Sequence, residues 1–388
     1  MDIEFGLKPG EWPGRPVSGN HETSVDRLAV VAPSAHLRIG VVGCGYWGAR
    51  HVRVLSSLSA VSHVALIDWN PNARAPLCAA FPAVSAFSDL ESALPHVDAV
   101  VIATPPRSHS ALALQALHAG KHVLVEKPLA TSVAEAHALV TEASKAHRVL
   151  MVGHTFEFNA AVRELGRRLD RGELGEIYYI HSARLSLGLY QQDVNVIWDL
   201  APHDVSILNY LLRSSPTRVT TWGSTNAQAG IEDLAYIRLD YRDLGVTGYI
   251  HVSWLDPRKV RQVTVVGSDK MAIYNEQDTE ERLRIFDRGI GSQDGDSARF
   301  GWPLSYRLGD IISPHIHFNE PLAVEDRHFV DCIREGRAPD ADGWNGLAVV
   351  ETLEAAETSL RTGTSVAVER TEPYVSRPAS LSVASSAQ

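Results

Sequence analysis

Arg38-Ile39-Gly40-Val41-Val42-Gly43-Cys44-Gly45-Tyr46-Trp47-Gly48 is an apolar run that breaks into three glycines, and its reading decides the fold. Arg38 to Val42 reads as a strand, and the residues after the glycines read as a helix through about Leu58. The G-x-G-x-x-G pattern has weight only in such a strand–turn–helix setting. There, Gly43 permits the tight turn, Gly45 lets a pyrophosphate approach the backbone, and Gly48 allows close helix–strand packing. The helix start offers free N–H groups and a favourable dipole to an anion. Tyr46 and Trp47 lie between the glycines and belong to the same cofactor set.

Downstream the alternation continues. His63 to Asp68 is a second strand, and Asp98 to Ala103 is a third, apolar throughout as strands buried on both faces are. A helix from about Ser110 to Ala119 ends at Gly120. A strand at 122–125, a helix near 132–147 and a strand from Val149 to Val152 follow. Strands alternating with helices predict a doubly wound parallel sheet. Asp68 ends the second strand where an acid would bind adenosine ribose hydroxyls. Trp69 and Asn70 follow it, and the nearest basic residue is Arg74, so NAD is favoured over NADP. Asp68 also suits a simple start to the turn at Asn70-Pro71. Thr104-Pro105-Pro106, at the carboxyl end of a strand, should border the nicotinamide half. Ser108 is a candidate N-cap, and His109 a candidate cofactor contact.

Glu126-Lys127-Pro128 closes the strand at 122–125. A lysine is costly to bury, and a proline ends the ladder beside it. The placement suggests a lysine held beside a nicotinamide, with Glu126 and Pro128 on the cofactor wall.

After about Phe156 the pattern changes. Ile177–Leu187, Arg218–Ser224, Leu234–Tyr241, Val246–Trp254, Val260–Val266, Met271–Asn275 and Arg282–Phe286 read as strands, several with alternating polarity. This predicts an α+β domain on one large, mostly antiparallel sheet, with two late helices at about 322–335 and 345–361 packing back on the core. The expected boundaries are an N-terminal extension over 1–36, a dinucleotide-binding α/β domain over 37–156, an α+β substrate and oligomerisation domain over 157–370, and a tail over 371–388.

In Trp198-Asp199-Leu200-Ala201-Pro202-His203-Asp204, Asp199 and His203 are four apart. In the first turn of a helix they would share a side, with the dipole keeping the imidazole neutral and able to accept a proton. Asp199 would orient His203 or bind a substrate hydroxyl. The alternatives are an N-cap role for Asp199 and a solvated Asp204. His315-Ile316-His317 is a chance pair rather than a metal site, so no metal is expected.

Composition excludes other classes. The net charge of −10, from 36 basic and 46 acidic residues, argues against nucleic acid as a partner. No apolar run approaches membrane-spanning length, and the N-terminus lacks a signal-peptide core. Cys44, Cys78 and Cys332 are odd in number and widely spaced, which fits a reducing cytoplasm.

Together these motifs resemble the Gfo/Idh/MocA oxidoreductases over about residues 37–370. The carriers are Val41 through Gly48, Ala119-Gly120-Lys121 through Glu126-Lys127-Pro128, Asp199 through His203, and His328 through Ile333. The resemblance implies a Rossmann domain followed by a large open-faced sheet, and dimers or tetramers joined through that sheet. It places Lys127 beside nicotinamide and substrate, and makes His203 the acid/base with Asp199 as its companion. Many members carry glycine two before the histidine; Ala201-Pro202 here resembles a branch acting on nucleotide sugars and on sugars of antibiotics or surface glycans. Gly153 through Asn159 resembles the domain junction, so Asn159 becomes a substrate candidate, as does Arg184. The expected activity is NAD-dependent oxidation of a sugar or cyclitol hydroxyl, or the reverse. An NAD-dependent glycosidase using transient oxidation is the alternative. A non-catalytic NAD-binding regulator is a third reading.

Overall fold

The computed structural model describes residues 36–188, 190–191, 194–292 and 304–371. Most of the expected N-terminal extension and tail lies outside them. The first half alternates as the sequence predicts: β1 (Leu37–Val42), α1 (Tyr46–Leu55), β2 (Val61–Ile67), α2 (Pro71–Ala80), β3 (Ser85–Phe87), α3 (Leu90–Ala93), β4 (Ala99–Ile102), α4 (His109–His118), β5 (His122–Glu126), α5 (Val133–Lys145) and β6 (Leu150–Gly153). The strands form a six-stranded sheet in the order β3-β2-β1-β4-β5-β6, with every pairing parallel. All four residues of β4 are buried, because helices cover both faces. The order reverses between β1 and β4, which opens a crevice at their carboxyl ends.

The second half comprises α6 (Ala160–Asp170), β7 (Ile177–Leu185), α7 (Val196–Leu212), β8 (Arg218–Ser224), β9 (Leu234–Tyr241), β10 (Val246–Ser253), β11 (Val260–Gly267), β12 (Met271–Asn275), β13 (Leu283–Ser292), β14 (Leu304–Ile312), α8 (Pro321–Glu335), α9 (Gly343–Thr362) and β15 (Val366–Ala367). Among the described residues the sheet has nine strands, ordered β14-β13-β12-β11-β7-β10-β9-β8-β15. Only the β7–β10 pairing is parallel. Along β9, Ala235, Ile237, Leu239 and Tyr241 point into the core beneath α7 and α9, while Tyr236 and Arg238 point outward. The outer face carries exposed aromatics, among them Trp222, Tyr236 and Tyr249.

The last two helices return to the first sheet. Phe329, Val330, Cys332 and Ile333 of α8 share a core with Leu37, Ile39 and Val41 of β1. Val152 N–H donates to Ala341 O (2.9 Å) just before α9 begins. The strand expected at Arg282–Phe286 starts one residue later and runs on to Ser292, where it pairs with β14.

Candidate active site at the junction of the two sheets

The glycine turn has the geometry that a dinucleotide requires. Gly43 has φ +92°, and a Cβ there would lie 2.7 Å from Ala103 O. A Cβ on Gly48 would lie 1.8 Å from Gly43 O, so α1 starts flush against the turn. A Cβ on Gly45 would meet nothing within 4 Å. The protein leaves that space open, and only an approaching ligand needs it. Gly45 is the N-cap of α1 and provides no side-chain cap, and the first turn has no acid. The helix start is thus uncapped and positive, as a pyrophosphate needs.

Asp68, just past β2, accepts from Cys44 N (2.8 Å) and Asn70 N (2.8 Å), which fixes its carboxylate beside the turn. Arg74 hydrogen-bonds the Asp68 carbonyl. Asn70 caps α2 by accepting from Asn72 N, so its side chain is already engaged. Trp69 is 83% exposed at the rim. These residues fit NAD.

Beyond α1 the crevice opens into a cleft of roughly 320 Å³. Trp47, Thr104, Pro105, Glu126, Lys127 and Pro128 form its Rossmann wall, and Trp198 and Asp199 of α7 form the opposite wall. Sequence positions more than seventy residues apart therefore meet. Lys127 Nζ donates to Asp199 O (2.7 Å) and lies 3.6 Å from Asp199 Oδ1. The Lys127–Pro128 peptide is cis.

Four readings of α7 change. Its N-cap is Asn195, which accepts from Ile197 N and Trp198 N, so Asp199 is not a cap. Pro202 is the seventh residue of the helix, inside it rather than in the first turn, and cannot donate to the carbonyl four residues back. Asp204 is not solvated: it is 1% exposed and accepts from Arg184 Nε (2.8 Å) and Ser182 Oγ (2.6 Å). Asp199 makes no bond to His203 among the described residues. Its Oδ2 accepts from Trp254 Nε1 (2.9 Å), so the carboxylate belongs to Trp254 and Lys127.

His203 stands one turn further along, its ring edge-on to Phe156 at 4.9 Å and its Nδ1 buried without a partner. Burial, then the charges of Lys127, Arg184 and Arg261 and the neighbouring His154, hold it well below the usual histidine range. The expected neutral imidazole thus arises from burial and cations rather than from a helix dipole. His154, at the end of β6, is 1% exposed, and burial and Lys127 push it down to about 3.

Other candidates lie behind the cleft. His109 is fully buried, with ring nitrogens 2.8 Å from both Pro128 O and Thr104 O, so it braces the two loops of the Rossmann wall from behind. Ser108 precedes α4, but its hydroxyl hydrogen-bonds Thr104 Oγ1 and Pro105 O instead of capping. Asn159 is 2% exposed and caps α6 by accepting from Ala161 N. Arg184 is 3% exposed and spent on Asp204.

Glu126 is anchored by a partner that sequence reading missed. His51 of α1 lies with Nε2 3.1 Å from Glu126 Oε1 and Nδ1 2.8 Å from Asp326 Oδ1 of α8. Both acceptors are carboxylates, so an imidazolium satisfies both. Burial opposes that charge, but Asp326 and Glu126 outweigh it and hold His51 well above its usual range. The other Glu126 oxygen accepts from Lys127 N (3.2 Å). The dinucleotide helix is thereby linked to the lysine loop. A hint was available in the helical spacing from Gly48 to His51, but the carboxylate partners lie 75 and 275 residues away. His315 and His317 sit in the segment between β14 and α8, ring to ring at 4.9 Å. Among the described residues no group of three or more His, Cys, Asp or Glu is placed to hold a metal, and no helix is long and apolar enough to cross a membrane.

Comparison with known proteins agrees with this geometry. Residues 37–154 match the oxidoreductase family model with an NAD-binding Rossmann fold, and residues 162–273 match the GFO/IDH/MocA C-terminal domain. The UDP-N-acetylglucosamine 3-dehydrogenase of Acidithiobacillus ferrooxidans is 30% identical over 81% of this chain and 94% of its own. Inositol 2-dehydrogenase 1 of Saccharopolyspora erythraea is 27% identical over 86% and 96%. A solved structure of the Acidithiobacillus enzyme superposes with TM-score 0.69 at 26% identity, covering 84% of this chain and 98% of that one. The fold is also that of GenD2 from gentamicin A biosynthesis, solved with NAD (TM-score 0.72, 24% identity, 88% and 98% covered). The chain belongs to the Gfo/Idh/MocA family of NAD-binding oxidoreductases.

Proposed function

We propose that this enzyme interconverts a secondary hydroxyl and a ketone on a sugar or cyclitol, with nucleotide sugars, amino sugars and aminoglycoside-type sugars as the finer substrate range. The observation that carries the reading is Lys127, which reaches from the cofactor wall to Asp199 across the cleft. The relatives support it, since their names describe dehydrogenases of a nucleotide sugar and of inositol.

When bound, NAD supplies the hydride acceptor for oxidation, and its reduced form the donor for the reverse. The chain's own groups manage proton and charge. Lys127, as a cation, stabilises alkoxide character at the reacting oxygen. His203, neutral at physiological pH, accepts the hydroxyl proton. Asp199 holds Lys127 through its carbonyl and carboxylate, and Trp254 holds the carboxylate. The enzyme is further proposed to form a dimer or tetramer through the open sheet face bearing Trp222, Tyr236 and Tyr249. A monomer in sedimentation equilibrium would exclude that.

The test is a panel of sugars, cyclitols, nucleotide sugars and aminoglycosides followed by NADH absorbance. Lys127→Ala and His203→Ala should each lower kcat by about 10²- to 10⁴-fold while NAD affinity stays near wild type. Near-normal turnover in both variants removes the assignment. Release of free sugar without net NADH identifies a glycosidase instead.

A further inference from the structure

Two arginines near Phe156, Arg184 and its strand neighbour Arg261, take no part in the chemistry above. Arg261 is the second residue of β11, and strand alternation places it on the same face as the buried Val263 and Val265, beneath the covering helices. It lies where burial along the strand gives way to partial exposure. In register it stands directly opposite Arg184 of β7. Like charges facing each other across a strand pair repel, so each needs an anion.

The two arginines are served unequally. Arg184 donates from Nε and Nη2 to Asp204 (2.8 and 3.3 Å), and its guanidinium lies 4.6 Å from the Phe156 ring. Arg261 makes no hydrogen bond to a side chain among the described residues. Its nearest carboxylate oxygen, Glu276 Oε2, is 3.8 Å from Nε, and the same oxygen is 3.8 Å from Arg184 Nη1. One oxygen thus faces two guanidinium groups, beyond hydrogen-bond reach of either. The Arg261 side chain remains 20% exposed, and none of its N–H donors is spent on a side-chain hydrogen bond among the described residues.

Its place is beside the reaction. The Phe156 ring packs on the Arg184 guanidinium and, at 4.9 Å, against His203. Arg261 faces Arg184 from the next strand, which sets it beside the Phe156–His203 pair. Burial and the Arg184 charge make its own cationic form harder to keep, which a bound anion would relieve. A planar guanidinium with free donors matches the paired oxygens of a carboxylate or phosphoryl group.

We infer that Arg261 is a specificity-determining residue of the substrate pocket, binding an anionic carboxylate or phosphoryl group carried by the sugar or cyclitol. The inference rests on the proposed reading of the cleft as a sugar-oxidising site, and it narrows that reading to acidic substrates. Uronic acids, sugar phosphates and nucleotide sugars fit; free neutral hexoses and inositols do not.

The test uses matched pairs with the full-length enzyme and NAD. Glucose against glucuronate probes the carboxylate. N-acetylglucosamine against its 1-phosphate and its UDP ester probes the phosphoryl group. The wild type should prefer the charged member of at least one pair. Arg261→Ala should cut the charged-to-neutral ratio of kcat/KM by about 10- to 100-fold, mainly through KM, and Arg261→Lys should restore part of it. NADH affinity near wild type shows that the variants are folded. A wild type indifferent to charge, or a variant that loses both members equally, overturns the inference while leaving the sugar-oxidising reading intact. If no pair yields NADH, that reading is in question. Calorimetric binding of glucuronate and UDP-N-acetylglucosamine to the NADH complex then decides for Arg261: binding equal in wild type and Arg261→Ala overturns the inference, and binding lost in the variant supports it.

Discussion

Replacing Glu157 by glutamine should flatten the alkaline loss of stability of this protein. Glu157 lies in the short helical turn Thr155–Phe158, next to Phe156. It is 1% exposed, and Asn345 Nδ2 donates to its two oxygens at 3.2 and 3.3 Å. Burial pushes the carboxyl up from 4.5 to about 8, and the hydrogen bond from Asn345 and the charges of Arg163 and Arg213 only partly offset it. Between those two pH values the folded state keeps a proton that the unfolded chain has lost. Stability contributed by this group is therefore complete below pH 4.5 and declines as pH rises through about 8. At about 1.36 kcal/mol per pH unit, the whole interval amounts to about 4 to 5 kcal/mol, an upper bound because a charged Glu157 could draw in water. Glutamine is neutral throughout and retains an acceptor for Asn345. Urea unfolding followed by tryptophan fluorescence at pH 5, 7 and 9 measures the difference directly, since every other titrating group is common to both proteins. Glu157→Gln should match the wild type at pH 5 and exceed it by about 2 to 4 kcal/mol at pH 9. Parallel stability curves across that range would refute the reasoning.

Gly45→Val should leave the fold intact and weaken NAD binding by at least about 100-fold, read by fluorescence titration, because only a ligand needs the space at that Cβ. Gly48→Ala should instead lower Tm, since its Cβ would collide with Gly43 O; equal Tm values for the two variants would contradict this. His51→Ala leaves Glu126 and Asp326 buried without their cation and should cost about 3 to 5 kcal/mol in chemical denaturation, with part recovered in His51→Ala/Asp326→Asn. Trp254→Phe removes the donor to Asp199 Oδ2 and should lower kcat about 10-fold without changing NAD affinity; an unaltered kcat would show that Asp199 needs no anchor.

The sheet strands were legible because burial on one face writes a period of two, as in Val246 to Ser253, and burial on both faces writes unbroken apolar runs, as in Ala99 to Ile102. Helices were less so. Nearly all of α7 is buried, so its apolar residues do not repeat on one side, and Pro202 reads as a breaker. In α2 no residue is buried and Pro76 interrupts the pattern, so no apolar stripe marks the helix. At the site, glycine spacing was legible because local backbone geometry demands that residue type at Gly43 and Gly48, and Lys127 stood out as a charge at the end of a buried strand. Asn159 and Arg184 read as substrate candidates; in the structure one caps a helix and the other pairs with Asp204. Trp254 and His51 act through partners that helix docking brings together, and Arg261 is set opposite Arg184 by strand register, which no local pattern encodes.

Helix α8 was described above as the cover on one face of the first sheet, where Phe329 and Ile333 join Ile39 and Val41. For a chain made from its N-terminus, this fixes an order of events. All six strands of the nucleotide-binding sheet leave the ribosome before the helix that seals one of their faces has been translated. During that interval α1 already covers the apolar side of β1, but the surface that Phe329, Val330, Cys332 and Ile333 later bury stays open to water or to a chaperone. A ribosome that stalls before Pro321 therefore leaves behind more than a protein lacking its C-terminus: it leaves a nucleotide-binding half with an apolar patch exposed beside α1.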